Sequence, residues 1–305
     1  MKISMVFVQG VVQAPLYFEV IEDVRSNIDQ GQITILVLLD FSKAFDSVDH
    51  NILLAKLKNI GLAEHTLKWF QEYLSNRKQV VVTRNCRSNI LNTHKGVAQG
   101  SVLGPLAFLI YVNDVGNSLK YCNHQMYADD LQLYISGHQT EVVSMIEKLN
   151  NDLASLFEWA TSLGLLLNLN KSQCLAIGTK YMYKKLIKCS LPDVCIDGTP
   201  LPWINTARNL GIHIENSLNW ETQTNKICQK VYHSLHTLRC LKDFLPPLTK
   251  IYLVKSLIMP HFDYCDFLLT DINSKQKRKL QIAQNACIRY AFNFSKNRKR
   301  IRFLF

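Results

Sequence analysis

Two hydrophobic patterns alternate along the first half of the chain. Ile33 to Leu39 form an unbroken aliphatic run bounded by Gly31 and Asp40, which predicts a strand buried on both faces. Residues 142–160 repeat apolar side chains at helical spacing and are followed by Gly164, which predicts a long amphipathic helix. Together these patterns favour an α+β fold.

The other elements follow from the same two periodicities. They comprise helices over residues 15–30, 66–74, 221–242, 248–258 and 273–291, an apolar helix over Leu106 to Val112, a helix capped by Asp49 and ended by Gly61, and strands over Gln79 to Thr83, Leu165 to Leu169, Cys174 to Ile177 and Asn209 to Ile214. No strand is predicted after Trp220, so the last part of the chain is expected to be a separate helical unit.

A hairpin is predicted around a pair of aspartates. Gln125 to Ala128 precedes Asp129-Asp130, and alternating apolar residues follow over 131–135, which places both aspartates in the bend. Since Asp40 is expected at the end of the buried strand, three carboxylates can meet at one edge of one sheet.

Such a cluster requires cations. Carboxylate oxygens suit Mg²⁺, and two ions about 4 Å apart can support an in-line phosphoryl transfer. The alternative is structural, because an aspartate after a strand and an Asp-Asp bend are both good turn formers.

Composition indicates a foldable, basic chain. Of 305 residues, 48% are hydrophobic, and 35 Lys or Arg against 24 Asp or Glu give a net charge of +11. Residues 271–305 contain ten basic side chains against Asp271 alone. A phosphate backbone is the natural partner for this tail, and a solvated tail or sorting signal is the alternative.

The cysteines and the apolar runs indicate in which cellular compartment the protein is located. The nine cysteines include no Cys-x-x-Cys pair, which argues against structural zinc and fits a reducing compartment. The apolar stretches are too short to cross a membrane or to form a signal-peptide core. We therefore expect an intracellular protein, nuclear or cytoplasmic, that is neither secreted nor membrane-bound.

Three ordered motifs carry a resemblance to a known family. They are Leu39-Asp40-Phe41-Ser42-Lys43-Ala44-Phe45-Asp46, Gln99-Gly100-Ser101-Val102-Leu103-Gly104-Pro105 and Tyr127-Ala128-Asp129-Asp130. In this order the chain resembles reverse transcriptases of non-LTR (LINE-type, jockey-like) retrotransposons, over about residues 20–290. Ala98 departs from the family, which commonly has proline there.

The resemblance implies an α+β polymerase palm, an antiparallel sheet with packed helices, followed by a helical thumb. It assigns residues 1–32 to a remnant of the fingers, 33–215 to the palm with a partial fingers insertion over about 62–95, 216–270 to the thumb and 271–305 to a basic helical segment. Most of the fingers and the endonuclease domain are missing from this pattern, so we expect a chain that is truncated at its N-terminus.

The resemblance also assigns roles to particular residues. Asp40, Asp129 and Asp130 would hold two Mg²⁺ ions, or Mn²⁺, with the backbone carbonyl of Phe41 as a further ligand. The ring of Phe45 would lie beneath the incoming sugar, Gln99 and Gly100 would pack against nucleotide and template, and Lys171 would lie near the triphosphate as a catalytic residue. A core aromatic, a surface turn and a solvated lysine are the respective alternatives.

The implied function is an RNA-directed DNA polymerase that adds dNTPs to a DNA primer 3′-hydroxyl on an RNA template. A folded but inactive nucleic-acid-binding remnant is the first alternative, because the missing fingers position the triphosphate. Another metal-dependent phosphoryl transferase, such as a nuclease or cyclase, is the second alternative.

Overall fold

The computed structural model describes residues 13–183 and 191–294. The chain forms two compact units, whose boundary falls between Asn205 and Thr206. The sequence places the end of the palm ten residues later, and that assignment stays a prediction.

The described elements of the first unit alternate helices with short and long strands. They are α1 (Gln13–Asp29), β1 (Ile33–Ser42), α2 (His50–Asn59), α3 (Glu64–Leu74), β2 (Lys78–Gln79), β3 (Leu91–Asn92), α4 (Leu103–Val112), β4 (Asn123–Tyr127), β5 (Asp130–Gly137), α5 (Val142–Ser162), β6 (Leu166–Leu167), β7 (Gln173–Ile177), β8 (Cys195–Ile196) and β9 (Thr199–Pro200).

The main sheet is antiparallel and is centred on β1. Strand β5 pairs with β1 along its length, from Ile33 opposite Gly137 to Asp40 opposite Asp130, and β4 pairs with the outer side of β5. On its other side β1 pairs with β7 and, at its C-terminal end, with β6. The predicted α+β class, an antiparallel sheet with packed helices, is confirmed.

Both faces of β1 are covered, as its aliphatic run predicts. Thr34 and Leu36 are buried on one face, where the neighbouring strand contributes Tyr134, whose hydroxyl donates to Asp23 of α1. Side chains alternate along a strand, and the odd-numbered residues of β1 join the main hydrophobic core that includes α5. The sheet therefore has a helix packed on each face.

The strand and the hairpin differ in detail from the prediction. Strand β1 continues two residues beyond Asp40, because Phe41 and Ser42 pair with β6. The bend of the hairpin consists of Ala128 and Asp129, while Asp130 begins β5 and pairs with Tyr127. Placing both aspartates in the bend was therefore wrong, since main-chain pairing takes Asp130 into the sheet.

The predicted strand over Gln79 to Thr83 was largely wrong. Only Lys78–Gln79 is a strand, paired with Leu91–Asn92, and an isolated bridge follows between Val82 and Arg87. Val82 is 68% exposed. A β-branched run without a core to pack against gains little from extended pairing.

The second unit begins with a hairpin and continues as helices. Its described elements are β10 (Thr206–Asn209), β11 (Ile212–Glu215), α6 (Glu221–Cys240), α7 (Pro247–Leu257), α8 (Pro260–Asp263) and α9 (Ser274–Ala291). The single strand predicted over Asn209 to Ile214 was wrong, because Leu210 and Gly211 both have positive φ, 42° and 86°, and form a two-residue turn. The predicted helices are confirmed.

The basic side chains of the second unit are not all on its surface. Lys250 of α7 is 4% exposed and donates to Asn293 at 3.2 Å. Lys226 and Lys230 are exposed on α6. Half of the basic tail, from Lys296 onward, lies outside the described residues. Among the described helices, none is long and apolar enough to cross a membrane.

Candidate active site

Two of the three predicted carboxylates face each other across neighbouring strands. Asp40 of β1 and Asp130 of β5 are register partners in the antiparallel ladder. Asp129 immediately precedes Asp130 in the bend, where Ala128 adopts φ 53°. The register of two long, buried strands thus brings the predicted aspartates to one end of the sheet.

Lys171 and Asn168 hold the Asp40 carboxylate. Lys171 Nζ lies 3.2 Å from Asp40 Oδ2, and Asn168 Nδ2 donates to the same oxygen at 3.2 Å. The Asn168 backbone N–H donates to the Asp40 carbonyl at 2.8 Å, which attaches the turn after β6 to β1. The side chain of Lys171 is 69% exposed, so its ammonium is accessible to other anions.

The electrostatics of the site are dominated by negative charge. Burial raises the pKa of Asp130 to about 6, and the neighbouring carboxylates of Asp129 and Asp40 contribute to this rise, while Lys171 opposes them. One ammonium therefore does not neutralise the cluster.

The chemistry of the three carboxylates suits a divalent cation. Within residues 13–183 and 191–294, no group of three or more His, Cys, Asp or Glu side chains is arranged to hold a metal ion. The Asp40 carboxylate is instead engaged by Lys171 and Asn168. However, the pKa of Asp130 is raised beside Asp129 and Asp40, and a hard cation would relieve the repulsion among these carboxylates.

A loop carries the sequence motif that contains Gln99 and Gly100. Gln99 is exposed, and its Nε2 donates to Asp46 Oδ1 at 3.1 Å. Gly100 has φ +80°, and a Cβ there would meet nothing within 4 Å. At Gly96, by contrast, φ is +87° and a Cβ would lie 2.9 Å from Asp46 Cα. The loop is therefore held against residues 44–46 by close backbone contact.

The two predicted aromatic positions are more buried than the loop. Phe41 is 3% exposed and belongs to the main core, so its side chain is structural. Phe45 is half-buried, with its ring centroid 4.7 Å from that of Phe108, and its carbonyl accepts from the Val97 N–H at 2.9 Å. Both the sugar-contact role and the core-aromatic alternative for Phe45 agree with this placement.

Sequence reasoning missed several residues that shape the site. Asn168 supports Asp40, Asp46 receives Gln99, and Ser101 accepts the Gly104 N–H on its hydroxyl at 3.0 Å. Asp46 and Ser101 lie inside the motifs, and Asn168 lies three residues before Lys171. Spacing alone, however, does not distinguish a supporting polar residue from a turn former.

Comparisons with known proteins give the family. The family described as reverse transcriptase (RNA-dependent DNA polymerase) matches residues 10–214. The RNA-directed DNA polymerase from mobile element jockey of Drosophila funebris is 26% identical over 240 residues, which are 74% of this chain and 25% of that protein. A 115 kDa protein in type-1 retrotransposable element R1DM of Drosophila melanogaster is 28% identical over 66% of this chain and 19% of that protein.

Two further matches extend these comparisons. A retrovirus-related Pol polyprotein from type-1 retrotransposable element R2 of Popillia japonica is 26% identical over 77% of this chain and 39% of that protein. Apo telomerase from Candida tropicalis aligns with 92% of this chain and 51% of its own, at 13% identity and a TM-score of 0.47. The chain spans about a fifth to two fifths of these curated relatives. The ordered motifs and the family match agree: this chain belongs to the reverse transcriptase family.

Proposed function

We propose that this chain is the palm and thumb of an RNA-directed DNA polymerase from a non-LTR retrotransposon. It would extend a DNA primer 3′-hydroxyl with dNTPs on an RNA template. The observation that carries the proposal is the pairing of Asp40 with Asp130 beside Asp129, with Lys171 on the rim. A structural turn would not require Asp130 to be buried beside two other carboxylates, an arrangement that raises its pKa.

Asp40, Asp129 and Asp130 would hold two Mg²⁺ ions, or Mn²⁺. When bound, these ions would supply charge neutralisation and polarisation of the phosphoryl oxygens. The Phe41 carbonyl is the remaining proposed ligand, on the strand that carries Asp40.

The other side chains would orient the substrate and accept charge. Lys171 is mostly exposed, so its ammonium can exchange Asp40 for an oxygen of the leaving pyrophosphate. Gln99 and Gly100 would contact nucleotide and template from the loop, and the half-buried ring of Phe45 would support the sugar.

The second unit contributes a surface suited to a nucleic-acid backbone. Hairpin β10–β11 and helix α6 line a cavity of about 540 Å³ that includes Arg208, Lys226 and Lys230 and no carboxylate. Burial lowers the pKa of His213, which also lines it, and Arg208 lowers it further. Glu215 acts on His213 in the opposite direction, but the three basic side chains outnumber this carboxylate. An excess of positive charge favours phosphates, which supports the primer and template as proposed partners.

Primer extension tests the proposal directly. The purified chain would be given a DNA primer on an RNA template with dNTPs and Mg²⁺, beside Asp129→Ala and the matched control Asp193→Ala, whose residue is exposed. We expect extension by the wild type and the control, and a loss of about a thousandfold in Asp129→Ala, which corresponds to about 4 kcal/mol of transition-state stabilisation.

The same assay distinguishes the proposed polymerase from the alternative, an inactive nucleic-acid-binding remnant. Salt-sensitive binding of primer-template without extension by any form would overturn the polymerase proposal and support a nucleic-acid-binding remnant. Extension that survives in Asp129→Ala would show that the assigned carboxylates are not catalytic.

A further inference from the structure

A second basic cavity lies in the first unit, and its lining includes none of the three candidate aspartates. It has a volume of about 630 Å³ and is enclosed by the start of α2, the end of α3 and the base of the β2–β3 hairpin. Its basic lining comprises His50, Arg77, Lys78 and His94, and no Asp or Glu lines it. The remaining polar lining consists of amide and hydroxyl groups, which can donate to an anion without opposing its charge.

Arg77 is the best-positioned cation of this cavity. Its backbone carbonyl accepts from both the N–H and the hydroxyl of Thr93, at 2.9 and 3.0 Å, which fixes the residue at the base of the hairpin. Its Cζ lies 5.1 Å from the centroid of the Tyr73 ring. In the part of the chain that the structure describes, the buried Nη1 of Arg77 has no hydrogen-bond partner. The guanidinium also interacts with Tyr73, whose pKa is lowered by hydrogen bonds from Ser101 and Arg77. A buried guanidinium N–H without an acceptor is costly, so an anion that reached Nη1 would remove that cost.

Nearby groups that carry or attract charge are already engaged. Asp49 caps α2, where its Oδ1 accepts the N–H groups of Asn51 and Ile52 at 2.9 and 3.3 Å. The amino end of that helix is therefore satisfied. His50 Nε2 contacts the Gly96 carbonyl at 2.8 Å. The positive charge available to an occupant comes mainly from Arg77 and Lys78.

We propose that this cavity binds a phosphate group through Arg77 and Lys78. A guanidinium presents paired N–H donors that match phosphate oxygens, and a lysine adds a flexible point charge. The phosphate can belong to a nucleic-acid strand or to a free mononucleotide, and the cavity volume accommodates the attached sugar. The site shares no residue with the carboxylate cluster and requires neither divalent cation nor dNTP, so it stands apart from the proposed polymerase activity.

Binding measurements on the full chain test the site and distinguish the two sources. The variants are Arg77→Gln/Lys78→Gln and the single variant Lys78→Gln, whose exposed residue is not part of the core. Lys58→Gln/Lys148→Gln is the matched control, because it removes the same charge from exposed positions that do not line the cavity. All forms are compared by circular dichroism, and binding is measured in a chelating buffer.

The first arm measures fluorescence anisotropy of a single-stranded RNA oligonucleotide across salt concentrations. If a strand supplies the phosphate, the double variant binds about tenfold more weakly than the control, and its salt slope is smaller by about 0.7 for each phosphate that the variant no longer neutralises. Lys78→Gln alone shows a smaller decrease in the same direction.

The second arm measures the rise of the melting temperature with increasing AMP and, separately, inorganic phosphate. If a free nucleotide or phosphate is the source, the wild type and control are stabilised, the double variant is not, and RNA affinity is unchanged relative to the control. The proposal is overturned if Lys78→Gln and the folded double variant match the control in both arms. If the double variant does not fold, Lys78→Gln alone tests the proposal. The proposal is then overturned if Lys78→Gln has the same RNA affinity and the same stabilisation by AMP and phosphate as the wild type.

Discussion

The two sides of the candidate active site are built in different ways. Asp40 and Asp130 lie on long strands whose register fixes them opposite each other, with buried side chains on both faces of the sheet. Gln99 and Gly100 lie on an exposed loop, which is held by positive-φ glycines and by close contact at Gly96. The carboxylates are therefore positioned by the core, while the loop is positioned by a few local contacts.

The two sides should therefore tolerate different substitutions. A core that fixes register resists change at exposed positions but is sensitive to cavities. A loop held by glycines is sensitive only where a side chain would strain the backbone or displace a neighbour.

The largest effect on stability is expected within the sheet. Leu133 is fully buried on β5 opposite Val37, so Leu133→Ala removes packing and leaves a cavity. We expect a loss of about 2–5 kcal/mol in the free energy of unfolding, measured by urea denaturation. Val143→Ala, at a position 55% exposed on α5, is the control and should cost under about 0.5 kcal/mol. If Leu133→Ala and Val143→Ala lost the same free energy of unfolding, the core would not be what fixes the strand register.

The next effect is expected at Gly96 on the loop side. Alanine there would keep a left-handed φ of +87° and place its Cβ 2.9 Å from Asp46 Cα. We expect Gly96→Ala to lower the free energy of unfolding by about 2–3 kcal/mol, from backbone strain and displacement of residues 44–46. A loss below about 1 kcal/mol in urea denaturation would show that the loop is not held by this contact.

A smaller effect is expected at Gly100. Its φ is +80°, but a Cβ would meet nothing within 4 Å, so Gly100→Ala should cost only about 1 kcal/mol of stability. Gly61→Ala is the matched control, since Gly61 has φ +97° and equally open surroundings. Under the proposed function only Gly100→Ala reduces primer extension. Equal extension by both variants would argue for an ordinary surface turn.

The smallest effect concerns the charge of Asp130 in metal-free protein. Burial and the neighbouring carboxylates raise its pKa to about 6, so the folded state binds this proton more tightly than the unfolded state. The resulting stabilisation is present below the ordinary pKa and is lost as pH rises through about 6. Asp130→Asn should therefore gain melting temperature relative to the wild type between pH 4 and pH 7.

Differential scanning fluorimetry in a chelating buffer measures this shift. Asp193→Asn serves as the control at an exposed carboxylate. A melting-temperature difference between Asp130→Asn and wild type that stays constant over this pH range would contradict a raised pKa at Asp130.

Sequence predicted most of the local elements, for identifiable reasons. The aliphatic run of β1 and the helical periodicity of α5 are long patterns, and both elements are present. The Asp49 cap of α2 is confirmed by its hydrogen bonds to the following N–H groups. Most of the strand predicted over Gln79 to Thr83 is absent, and only Gln79 of this range belongs to a strand. An exposed β-branched run lacks the packing that makes extended pairing favourable.

The turns show where local pattern was insufficient. Leu210-Gly211 interrupts the segment predicted as one strand, and only the paired hairpin shows that both residues adopt positive φ. Gly211 permits a turn, but leucine rarely adopts positive φ, so a two-residue turn that includes Leu210 was not predicted. Tertiary pairing of β10 with β11 compensates for the backbone cost.

The buried strand, the helices, the order of the motifs and the identity of the aspartates can be read from the amino-acid sequence, because they depend on neighbouring residues along the chain. The pairing of Asp40 with Asp130, the contacts of Lys171 and Asn168 with Asp40, and the place of Arg77 in a basic cavity are visible only in the folded chain. Those relations join residues far apart in sequence. Strand register and loop packing establish them, and both depend on the whole core.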